Sequence, residues 1–168
     1  KEKMSKSLGN IITISDAVKK YTGQVVRLAL LSAHYSQPLD WNEELLNNQK
    51  NTLDKWYNLY QEQKNYETLD TTDILLDDLN TPGFIAKIHE LYNQANTGDL
   101  DKKSLFNSAC RFIGLFNISK TEWQNLKKKK IKISEDFIEN KIKERLKAKN
   151  SGNYDLADKI REELLNAG

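Results

Sequence analysis

Apolar side chains recur three and four residues apart through most of this chain, a spacing that constrains it to helices packed along their apolar stripes. The longest stripe is Leu45, Leu46, Gln49, Leu53, Trp56, Tyr57 and Tyr60, a helix of about six turns. Asn42 can cap it, with Glu43 and Glu44 in the first turn, where the helix dipole favours acids. A second helix is expected over 24–35, where Val25, Val26, Leu28, Ala29, Leu30 and Leu31 surround most of the axis and predict burial. Arg27 sits inside that segment, and a buried guanidinium needs an acidic or phosphate partner. His34 is expected to end the helix as a packed, hydrogen-bonded residue.

The same reading places extended residues at 11–14, then a short helix capped by Ser15, running to Tyr21 and broken by Gly23. A short helix over 71–79 precedes Thr81 as N-cap and Pro82 as first helical residue. The helix after Pro82 buries Phe84, Ile85, Ile88, Leu91, Tyr92 and Ala95, and Gly98 ends it. Residues 102–117 form another through Leu105, Phe106, Ala109, Cys110, Phe112, Ile113 and Phe116. Ser134 caps a final αα-hairpin: Phe137, Ile138, Ile142, Arg145 and Leu146 mark its first helix, residues 150–153 the turn, and Tyr154, Ala157, Ile160, Leu164 and Leu165 the second.

With 168 residues, one or two small domains are expected, and a real core is within reach. The single cysteine, Cys110, excludes an internal disulfide and lies on an apolar stripe without a His or Cys companion, so it is read as core and not as a metal ligand. Asp77 and Asp78 are assigned a structural role, since no third acidic ligand lies near them in sequence; no metal site is expected in this chain. A net charge of +2 does not describe a strongly basic nucleic-acid binder, so RNA contact would have to come from local patches. Neither a signal-peptide pattern nor a bilayer-long apolar run is read in these residues, and the expected location is the cytoplasm.

One stretch carries chemistry: Lys3-Met4-Ser5-Lys6-Ser7, followed by Leu8-Gly9-Asn10. Lysine is a point charge on a flexible stem suited to phosphate, and serine hydroxyls donate to phosphate oxygens. A loop of this kind can close over a polyphosphate and later release it. The bland alternative is a frayed, lysine-rich terminus. The full motif resembles the signature loop of class I aminoacyl-tRNA synthetases, which holds ATP while an amino acid carboxylate attacks the α-phosphorus. That resemblance implies that Lys6 is the catalytic lysine and principal ATP contact, with Lys3, Ser5 and Ser7 in supporting positions.

Arg27-Leu-Ala-Leu-Leu-Ser-Ala-His34-Tyr35, Pro38-Leu39-Asp40-Trp41 and Asp77-Asp78-Leu79-Asn80-Thr81-Pro82 are similar to segments of cysteinyl-tRNA synthetases, as are Ile138, Ile142, Arg145 and residues 157–161. Those proteins usually carry arginine where Ser36 stands here. The resemblance implies an all-α fold: the signature loop and stem-contact helices over 1–41, an anticodon-binding, DALR-like helical bundle over 42–120, and a C-terminal helical hairpin over 121–168. It further implies the C-terminal part of a longer, monomeric enzyme, cut short of the family's β-rich tail. That enzyme joins cysteine to tRNA(Cys) with ATP, and its zinc is held by ligands absent from this chain. The aromatics Trp56, Tyr57 and Tyr60 could stack RNA bases, but they share a face with leucines and are assigned to the core. Candidate tRNA contacts are Arg27 and the basic run Lys127, Lys128, Lys129 and Lys130. Two other functions fit parts of the pattern: a ligase joining cysteine to an amino sugar through the same adenylate, and a non-catalytic tRNA-binding paralogue.

Overall fold

The computed structural model describes residues 8–9, 11–63, 67, 73–130 and 135–167. Every regular element among them is a helix. In chain order these are α1 (Ile14–Lys20), α2 (Gly23–Leu31), α3 (Glu43–Leu59), α4 (Asp73–Leu76), α5 (Thr81–Asn96), α6 (Leu100–Phe112), α7 (Lys120–Lys130), α8 (Glu135–Asn150) and α9 (Tyr154–Ala167). The chain divides into two compact units, residues 1–120 and 121–168.

Local chemistry sets the helix starts. Asn42 Oδ1 accepts from the Leu45 N–H (2.7 Å), as the sequence predicts. Elsewhere the cap lies earlier than predicted. Thr13, not Ser15, caps α1, because its hydroxyl accepts from the Asp16 N–H (3.1 Å) and donates to the Asp16 carboxylate (2.6 Å). Asn80, not Thr81, caps α5 through the Gly83 N–H (2.9 Å), which leaves Thr81 and Pro82 inside the first turn. Gly23 opens α2 behind the Thr22 cap and does not merely break α1. Three helix ends also differ from the predicted spans. Leu31, not His34, is the last residue of α2. Ser32 already turns its hydroxyl back to the Ala29 carbonyl (2.7 Å). At the end of α5, Thr97 is the C-cap ahead of Gly98. Helix α6 stops at Phe112 and not at residue 117, because Gly114 and Phe116 have φ of 76° and 55°, which no helix accommodates.

In the first unit α5 packs along α6, and α3 lies against both α2 and α5. Leu28, Leu53, Trp56, Phe84, Ile88, Phe106 and Leu115 fill the centre. Trp56 and Phe116 each meet Phe106 edge to face with ring centroids 5.7 Å apart, an arrangement aromatic quadrupoles favour. The aromatics of α3 are therefore core, and Tyr60 packs tilted on Phe116 at 4.8 Å. Leu30 and Phe112, both predicted inside, are exposed.

Polar residues inside this core were not anticipated. Gln24 is buried: its amide nitrogen donates to the Tyr57 hydroxyl (2.8 Å), and its Oε1 accepts from the Phe116 N–H (2.7 Å). Buried Asn107 accepts from the Gln61 N–H (3.1 Å) and donates to the Lys103 carbonyl (2.7 Å), while the Ser108 hydroxyl accepts from the Glu67 N–H (3.0 Å). The polar edge of α6 thus satisfies backbone groups of the segment that follows α3.

In the second unit α8 and α9 form the predicted antiparallel hairpin. Buried Ala148 and Ala157 let the helices approach, and Gly152, with φ of 75°, closes the turn. Lys141 pairs with Glu144 on its own helix (3.3 Å) and with Glu163 across the hairpin (3.0 Å). Ile142, Leu146, Tyr154 and Leu165, placed on the apolar stripes by sequence, are exposed. The predicted Ser134 cap lies outside the described residues.

Replacing Gln24 by Ala strands the buried Phe116 N–H and loosens the Tyr57 hydroxyl, which keeps the Ile118 carbonyl (3.5 Å), so an equilibrium urea titration should show about 2–4 kcal/mol of lost stability. Burial pushes the Tyr57 hydroxyl pKa up to about 12, above its unfolded value of about 10. The neutral hydroxyl therefore stabilises the fold fully below pH about 10, and that share is lost as pH rises from about 10 to about 12. Tyr57→Phe should remove this alkaline component from a stability–pH curve.

Candidate functional site

The signature residues Lys3, Ser5, Lys6 and Ser7 lie outside the described residues. What the structure places is the chain they lead into. Helix α1 turns Ala17 and Tyr21 inward and is fastened at its C-terminal end to the start of α3. The Tyr21 hydroxyl donates to Asn47 Oδ1 (3.2 Å), and Lys20 pairs with Glu43. Glu43 holds the Lys20 ammonium above its ordinary pKa, through hydrogen bond and charge together. At the other end Thr13 and then Lys19 hold the Asp16 carboxyl below the usual range. The segment after the signature loop is therefore tied to the longest helix of the bundle.

Arg27 is not buried in an ion pair. It is exposed on α2, and its Nε donates to the Ile113 carbonyl just past the end of α6 (2.5 Å). A guanidinium suits that position because the carbonyls ending a helix carry partial negative charge. Gly114 makes room for it: a Cβ there would lie 2.7 Å from Arg27 Nε, besides straining a φ of 76°. Gln24 and Arg27, three residues apart on α2, thus both grip the α6–α7 connection.

Lys127 is exposed on α7, and Lys128, Lys129 and Lys130 continue the same helix. The basic run therefore forms the C-terminal end of α7.

His34 and Tyr35 meet Asp78 from 44 and 43 positions away in sequence. The His34 Nδ1 pairs with the Ser36 hydroxyl (2.6 Å) and its Nε2 with the Asp78 carbonyl (2.9 Å). The Tyr35 hydroxyl donates to the Asp78 carboxylate (2.6 Å). Both imidazole nitrogens are engaged, which gives His34 the packed role expected of it. Asp78 spends its carboxylate on tyrosine. The cluster was legible only as two separate sequence motifs; nothing in their spacing shows that they touch.

The zinc that the resemblance implies does not fit the residues described. Cys110 is fully buried and burial pushes its thiol pKa up, away from the thiolate that zinc requires. Among the described residues no three His, Cys, Asp or Glu side chains converge as a metal site would need. None of the described helices is long and apolar enough to cross a membrane.

Residues 1–51 match the family model for the class I (C) tRNA synthetase catalytic domain. That match takes in the signature motif and runs into the middle of α3. It is 53% identical to the cysteine--tRNA ligase of Pelagibacter ubique over 99% of its length and 42% identical to that of Rickettsia bellii over 98%. A third relative, the cysteine--tRNA ligase of Xanthobacter autotrophicus, is 38% identical over 99% of the chain. Over nearly its whole length the chain matches part of these cysteine--tRNA ligases. It spans 37% of the length of the first two relatives and 38% of the third.

Gly114→Ala should destabilise the first unit by about 1–2 kcal/mol from the left-handed backbone alone, with more from the displaced guanidinium. Thermal unfolding of this variant beside Arg27→Ala checks the point. If Arg27 acts mainly on the α6 end, both variants lower the midpoint.

Proposed function

We propose that this chain supplies the ATP loop and tRNA-binding helices of a cysteine--tRNA ligase, which activates cysteine with ATP and passes it to tRNA(Cys) in the cytoplasm. The reading is carried by one observation: the intact Lys3-Met4-Ser5-Lys6-Ser7 motif heads a stretch that matches the class I catalytic-domain model. In the activating step the cysteine carboxylate attacks the α-phosphorus, and the bond to the leaving pyrophosphate breaks. Negative charge grows on that pyrophosphate. A lysine ammonium placed there stabilises the transition state more than bound ATP, which is what accelerates the step. Lys6 takes this role, with Lys3, Ser5 and Ser7 holding the phosphate oxygens. Zinc would serve the recognition of the substrate thiol in the longer enzyme; the residues described here do not hold it, and no step is assigned to it.

The tRNA side rests on the helical surface, with Lys127, Lys128, Lys129, Lys130 and Arg27 as phosphate contacts. Arg27 can do this only with guanidinium donors other than the Nε committed to Ile113. Anchoring of α1 on α3 supports the reading as well, since it gives the loop a fixed base from which to close.

In a ligase containing this chain, Lys6→Ala should lower kcat for cysteine-dependent pyrophosphate exchange by about 10²–10³. The 168-residue chain alone should show no such exchange, because it lacks the ATP motif and zinc ligands of the family; measurable exchange by it would overturn the assignment of roles. Alanine at Lys127–Lys130 should weaken tRNA binding and flatten its salt dependence by about one unit of slope for each lysine that touches phosphate. An unchanged slope removes the run from the interface.

A further inference from the structure

Besides Arg27 on Ile113, two kinds of fastener join α2 and its downstream turn to the rest of the first unit. One is buried: Gln24 with Tyr57 and Phe116. The other sits at the surface, where His34 and Tyr35 reach Asp78, and its surroundings differ in three respects. First, Asp78 and Leu79 are consecutive non-glycine residues with φ of 48° and 52°. Left-handed backbone is unfavourable for residues with a Cβ, and two in succession persist only where neighbouring structure holds them. The His34 and Tyr35 bonds supply that hold at the Asp78 carbonyl and carboxylate.

Second, the preceding helix is lightly held, packing on α5 through half-buried Ile74 and Leu75. α4 is a single turn of four residues with no buried side chain. Leu76 is 81% exposed and Leu79 62% exposed. Third, both partners stand in water: Tyr35 is 67% exposed and the Asp78 side chain 69%. An exposed bond of this kind opens far more readily than the Gln24 joint, whose groups would be left unsatisfied. His34 and Tyr35 lie within the stretch matching the catalytic-domain model, and Asp78 lies beyond it. The surface contact therefore bridges the two.

We propose that His34 and Tyr35 form a releasable latch on Asp78, whose opening lets Asp78 and Leu79 leave the left-handed region and frees the α4 corner while the Gln24 joint holds the helices together. The latch is a conformational device between the catalytic-domain stretch and the bundle. It does not depend on which substrate the longer enzyme uses.

The test is amide hydrogen exchange on the intact 168-residue chain. The N–H groups of Asp77, Leu79 and Asn80 bond within the corner, to Asp73, Leu75 and Asp77 respectively, and report its opening. Tyr35→Phe should speed their exchange roughly tenfold, the worth of a hydrogen bond to a charged acceptor. Amides in the middle of α5 and α6 should keep their native rates. Asp78→Gly removes the carboxylate while tolerating left-handed backbone, and in that background Tyr35→Phe should have no further effect. Unchanged corner rates in Tyr35→Phe would overturn the proposal. So would a rise shared equally by α5 and α6, which marks general destabilisation, or the same tenfold effect of Tyr35→Phe in the Asp78→Gly background.

Discussion

The primary amide of Gln24 holds three separate stretches in one place. It donates to Tyr57 on α3 and accepts from Phe116 on the α6–α7 connection, while its own backbone belongs to α2. Neither partner has water to turn to, since Tyr57 and Phe116 are both buried. Register among the three is consequently fixed by direction as well as by shape: hydrophobic packing alone would tolerate a small slide, and this set of bonds does not. Arg27, one turn along, repeats the grip from the outside by holding Ile113.

That pair explains how a short helix following the signature loop can orient a larger bundle. Helix α2 contributes apolar residues to the core through Val25, Val26, Leu28 and Ala29. Its polar side chains determine where α6 ends and how the chain leaves it. On the other flank, Tyr21 and Lys20 tie α1 to the first turns of α3. The loop that handles phosphate chemistry in the proposed enzyme is thus continuous with elements fastened to the bundle on both sides of α2.

Much of this was legible in the sequence, and the reasons it was or was not are physical. Helical spacing located the long helices because burial of one face is a strong, periodic signal, and the Asn42 cap was found because side chain and first turn agree. Caps at Thr13 and Asn80 were missed because a second capping residue stood one or two positions downstream, and only geometry chooses between neighbours. The early end of α6 was hidden by Phe116, an apolar residue in helical phase that adopts φ of 55° because Gln24 and Arg111 hold its backbone N–H and carbonyl. Buried Gln24, Asn107 and Ser108 gave no sequence signal, since apart from the Tyr57 hydroxyl their partners are backbone groups, which leave no mark in a sequence. The resemblance to cysteinyl-tRNA synthetases was readable from motifs; the meeting of His34 and Tyr35 with Asp78 was not, because contact across 43 or 44 positions has no local signature.

The seclusion of Cys110 has a practical side. Its sulfur is shut inside the core in the last turn of α6, and it is the chain's sole thiol. A thiol-reactive dye added to the native protein would find nothing to modify until that helix comes away from its neighbours. Alkylation would then act as a clock for global opening, and a cysteine introduced on the surface could carry a probe without competition from the native one.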